Sequence, residues 1–343
     1  MYSEGEIEAA VGAGVISPDA AAALRNYIAA QRAAPAVDEE QFRLLTGFYD
    51  IFVSVALALA IGAIAQIGWQ ASPWLGGAGV ATASWGAAEF FTRRRRMALP
   101  SILLLLAFVG GVAAVPIGVI ARIEPDWPQS TAALVGMGIA LLAGGAAWLH
   151  WRRFRVPITV AAGTIACVGA ALGLAGWLMP NAERLLYPVA LSGGLATFAL
   201  AMWWDMSDRE RRTRRADVAF WLHLAAAPLI AHPVFQLLGV FGQEIGIGQA
   251  LLVLGLYLLF AFVALAVDRR ALLVSSLVYV LYAMTALFRQ AGAIELSAAL
   301  TALVIGSALL LLSVFWHTMR ARVVALLGGL ERRLPPVQVV VPA

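Results

Sequence analysis

Only 13% of the 343 residues are charged and 62% are hydrophobic. Soluble domains carry about 25% charge, so an ordinary water-soluble globular fold is excluded. The lone Cys167 rules out a disulfide framework and a cysteine metal site, and the formal charge of +4 has to be read from its distribution.

Residues 1–46 form a polar head. Glu4, Glu6 and Glu8 open it, with no basic stretch followed by an apolar core of the signal-peptide kind. A short helix from Glu4 to Val11 is expected to stop at Gly12 and Gly14. Ser17-Pro18 then starts a second helix, the serine as N-cap and the proline in the first turn. Ala20, Leu24, Tyr27 and Ile28 give it one apolar face. So short a pair buries too little surface to stand alone. It is expected to dock on the remainder of the chain or on a cytosolic partner.

Residues 47–316 carry ten apolar runs, near 48–68, 74–91, 99–121, 131–149, 157–178, 187–204, 218–238, 249–267, 271–288 and 296–315. Runs of about 20 residues match a bilayer-spanning helix, whereas barrel strands are shorter and alternate. The fold class is therefore all-α, a polytopic membrane protein. Tryptophans such as Trp69, Trp74, Trp148 and Trp316 sit near span ends, at interfacial positions.

All 24 basic residues are arginine, and with abundant alanine, glycine and proline this resembles the product of a GC-rich bacterial gene. Alternating the spans puts 21 arginines on one face and only Arg122, Arg184 and Arg289 on the other. The positive-inside rule then places both termini in the cytoplasm of an inner-membrane protein. The basic surplus is topological, and no nucleic-acid partner is expected; the bilayer is the partner the composition demands.

The densest charge is the block 205–217, DMSDRERRTRRAD, with five arginines and four acids. Similar turns recur at 93–96, 152–155 and 268–270. Either internal duplication or bilayer thickness alone produces such a rhythm. Residues 317–343 end the chain: Val323, Val324, Leu326, Leu327 and Leu330 suggest an amphipathic segment on the inner leaflet, stopped by Pro335 and Pro336.

Ionisable groups within spans mark functional suspects, because burying them is costly. The seventh span holds His223, Pro228, His232, Pro233 and Gln236, and two prolines are expected to kink or break it. His232 and Gln236 share a face, whereas His223 lies about half a turn away on an ideal helix. Together with Glu244 and Arg289 at the far rim, these five residues are the candidate pathway. Near the arginine face, Glu89 has Arg93 at helix-pair spacing. No catalytic, phosphate-loop or dinucleotide pattern occurs, and the four histidines lack metal-ligand spacing. No enzyme activity, cofactor or metal is therefore expected.

The segment 7–27 with its G-V-I-S turn, E-E-Q-F-R-L-L-T-G-F-Y-D-I-F-V at 39–53, and L-E-R-R-L-P-P at 330–336 resemble a family of bacterial inner-membrane proteins without an assigned activity. The resemblance implies a multi-span membrane protein and no reaction. The expected function is a small-solute transporter or carrier; the alternative is a non-transporting sensor or assembly scaffold. Such a scaffold would hold a cytosolic partner through residues 1–46 or the 205–217 loop.

Overall fold

The computed structural model describes residues 4–32, 48–180, 182–209, 211, 213–239, 246–293, 295–329 and 334–336. Among these the chain is all helical. The head forms α1 (Glu4–Gly12) and α2 (Pro18–Arg32). As Ser17-Pro18 foretells, the serine hydroxyl oxygen accepts from the Ala20 amide at 3.1 Å. Leu24 and Tyr27 on the expected apolar face of α2 are exposed, and Ala21 is the residue buried.

The core helices are α3 (Phe48–Ala71), α4 (Pro73–Ala88), α5 (Ala98–Ile123), α6 (Gln129–Phe154), α7 (Ile158–Leu178), α8 (Leu186–Met206), α9 (Arg214–Leu237), α10 (Ile247–Val267), α11 (Ala271–Gln290) and α12 (Ser297–Val314). Nine helices in the described residues are long and apolar enough to cross a bilayer. The exception is α4, whose 16 residues continue through a π-helical turn, Glu89–Arg94.

Neighbours in sequence pack as antiparallel hairpins: α4 with α5, α6 with α7, α8 with α9, and α10 with α11. Small residues allow the close crossings. A Cβ on Gly77 of α4 would stand 2.8 Å from the Val115 nitrogen of α5, and one on Gly194 of α8 would stand 2.7 Å from the Leu229 carbonyl of α9. Such approaches replace the missing hydrophobic drive between helices in lipid. Each hairpin turn on the arginine-bearing side, called here the basic end, holds one non-glycine residue in the left-handed region: Arg96, Arg155, Arg211 and Asp268.

α9 is the innermost helix, with 56% of its apolar stretch buried against 11% for α3 and α6. It runs unbroken through Pro228 and Pro233, so the expected break does not occur. Pro233 removes the N–H that would satisfy the Leu229 carbonyl, and that carbonyl lies against Gly194. The freed oxygen thus meets protein, the condition under which such a group is tolerated in a membrane.

The chain closes with α13 (Trp316–Leu327). Val324 is 2% exposed, and Val323 and Leu327 pack with it into the core cluster of α10 and α11. The expected amphipathic segment packs one face on the bundle and leaves Met319 and Leu326, 42% and 80% exposed, on its outer side.

Candidate functional site

The most concentrated buried charge lies at the basic end, where α8, α9, α10, α11 and α13 meet. Asp205 and Arg269 are each 2% exposed. Asp205 occupies the last turn of α8, and Arg269 follows the C-cap of α10. The guanidinium grips both carboxylate oxygens: Nε donates to Oδ2 at 3.2 Å and Nη2 donates to Oδ1. Such a fork matches the planar carboxylate and is the strong form of the pair. His223, wholly buried on α9, brings Nε2 to 2.8 Å from Asp205 Oδ2. A carboxylate only accepts, so Nε2 carries the hydrogen. Nδ1 on the other side of the ring has no hydrogen-bond partner among the described residues, and Phe198 stands edge-on to the ring at 5.2 Å.

A second carboxylate sits beside the first. Asp268 caps α10 in the left-handed conformation at φ 57°, which costs of order 1–3 kcal/mol at a non-glycine residue. Its side chain explains why it is kept. Oδ2 accepts from Arg211 Nη1 at 2.9 Å and Oδ1 from Trp316 Nε1 at 2.8 Å. Arg320 Nε stands 3.4 Å from Oδ1, an ion-pair contact. Arg320, 1% exposed, turns its remaining nitrogens to the tail, donating to the Pro335 carbonyl at 2.7 Å and the Pro336 carbonyl at 3.1 Å. Arg209 donates twice to the Leu334 carbonyl. Prolines suit this role because they offer acceptors without an N–H. The result is one buried ionic junction tying the 205–217 turn, α9, the 268–270 turn, α13 and the tail.

A smaller and more open network occupies the other half of the basic end. Glu89 accepts from Arg93 at 3.2 Å, as its spacing suggested, and from Arg153 at 2.7 and 3.0 Å. In this pair and in Asp205–Arg269 the arginine follows the acid by 64 residues. Beneath it His150 is fully buried, with Trp85, Phe108 and Phe154 around the ring.

Of the five residues expected to line a pathway, the four among the described residues occupy different settings. His232 is exposed on the flank of α9, with Nδ1 3.0 Å from the Tyr279 hydroxyl. Gln236 is half-buried and Arg289 is exposed beyond the middle of the bundle. Glu244 lies outside the described residues. Only His223 enters a buried polar site, with partners that the spacing did not suggest. At the level of His232 the buried face of α9 is Ala231 and Phe235.

Sequence analysis marks the 205–217 and 268–270 turns as charged and Trp316 as interfacial, but does not join Asp205, Asp268, Arg269, Trp316 and Arg320 into one site. A usable signal existed for Asp205: it follows Trp203 and Trp204 without a turn residue, so the helix had to carry it into the apolar layer. Comparison with known proteins adds nothing further: no family model, curated protein or solved structure matches the chain.

Proposed function

We propose that the chain is a ten-helix protein of the bacterial cytoplasmic membrane with both termini inside, α4 and its π-helical turn supplying the tenth span. The 21-to-3 partition of arginines supports the orientation. Within that frame we propose a non-transporting sensor or assembly scaffold that answers to a cytosolic partner. The observation that carries this reading is the ionic junction itself: it links a long basic turn, α13 and the tail directly to α9, the most buried helix. Exposed Leu24 on α2 adds an apolar contact point on the head for that partner. The proposed domains are 1–46, 47–316 and 317–343.

A carrier is the second reading, and one observation favours it. His223 Nδ1 is a buried nitrogen on the central helix with no hydrogen-bond partner among the described residues, the kind of group from which a proton relay is built.

Reconstitution separates the two. The full chain in liposomes should show no proton- or solute-coupled flux, while a chain lacking residues 1–38 should insert normally and fail to complement a deletion strain. Flux that disappears with His223→Ala would replace the scaffold by a carrier.

A further inference from the structure

Beside the junction, an apolar cleft of about 190 Å³ opens between α11 and α12. Val274 and Leu277 of α11 and Leu309 and Leu312 of α12 form its walls, with Arg270 and Trp316 at the basic end. From Arg270 to Leu277 is seven residues, so the cleft runs ~10 Å along the helices at 1.5 Å per residue. Val274 is 63% exposed, which makes this an open groove on the bundle flank rather than an enclosed cavity.

We propose that this cleft binds one anionic phospholipid, with an acyl chain along the α11–α12 groove and the phosphate at Arg270. Two independent features select that occupant. Apart from Ser313 the walls between the two ends are apolar and face the region that lipid fills in a membrane protein. The mouth carries a cation at the level where a headgroup lies, and basic pockets between membrane helices favour anionic headgroups in this way. Arg270 is already positioned there: its guanidinium lies over the Trp316 ring at 4.9 Å from the centroid. Trp316 in turn donates to Asp268, so the headgroup position touches the ionic junction through a single side chain. The proposal rests on membrane embedding alone, not on the scaffold or carrier reading or on orientation.

The test is native mass spectrometry of the full chain in detergent micelles, titrated with phosphatidylglycerol and phosphatidylcholine of identical acyl chains. One phosphatidylglycerol should be retained at least roughly fivefold more tightly than phosphatidylcholine. Arg270→Gln should erase that preference, and Val274→Trp, which fills the groove from its exposed side, should remove the tight lipid with Arg270 intact. Equal affinity for the two lipids overturns the proposal, as does a preference that survives Arg270→Gln. Displacement of the lipid by glycerol phosphate at similar concentration would also overturn it, because the groove would then contribute nothing. Circular dichroism of each variant in the same micelles confirms that loss of lipid is not loss of fold.

Discussion

Asp205 and Arg269 show how much one buried pair demands of its surroundings. Removing a charge from a low-dielectric site leaves its partner uncompensated, at roughly 3–5 kcal/mol, whereas replacing both by apolar groups is often neutral. Asp205→Asn should therefore destabilise the protein by about 3–5 kcal/mol. Adding Arg269→Met should recover part of that loss, giving a coupling energy above about 1 kcal/mol. Denaturant titration in detergent micelles measures both. Additive losses would show that the two side chains do not act as a pair. Asp205 also shows why the site was hard to read: it opens a run of thirteen residues rich in arginine, and such a run reads as solvated. Its partners lie 18 and 64 residues away, beyond any local pattern. His223 was legible as an unusual residue, but its sequence neighbours suggested the wrong company.

At the level of helices, α9 departs most from expectation. Two prolines within six residues ordinarily argue for a broken segment, yet the helix continues, and α8 lies against the carbonyl whose helical N–H partner Pro233 removes. That contact depends on the absence of a side chain at Gly194. Gly194→Ala places a Cβ within 2.7 Å of Leu229 backbone atoms, and crowding of this kind costs about 1–3 kcal/mol. Gly138→Ala is the control: a Cβ there meets nothing within 4 Å, so its thermal midpoint should hold or rise. Equal behaviour of the two variants would mean that the α8–α9 crossing yields easily. Where sequence reading succeeded, physics is local: Ser17 caps α2, Glu89 reaches Arg93, and apolar stretches become helices within a few residues of their expected ends. The packing of α13 was not legible in the same way, because its amphipathic pattern fits a leaflet and a groove on the bundle equally well.

For the whole molecule, the run of apolar helices was the most legible feature, since bilayer thickness sets helix length, while the arginine counts support the proposed alternation. A periplasm-active reporter fused after Arg212 should be silent, and one fused after Arg289 should be active. The opposite result would reverse the proposed orientation. The two acid–arginine pairs of equal 64-residue separation, with a left-handed residue in every basic-end turn, show that the hairpins repeat in geometry as well as in length.

The tail contact has a consequence in time. Arg209 is held by the Leu334 carbonyl, 125 residues later in the chain. At about 5–20 residues per second on the ribosome, roughly 6–25 seconds separate the synthesis of the two. Throughout that interval Arg209 has no tail carbonyl to bond, and water or headgroups must take its place, whereas Asp205 already has His223 and Arg269 within 64 residues. The described helices are therefore all synthesised before the carbonyls of 334–336 can tie Arg209 and Arg320 to the bundle.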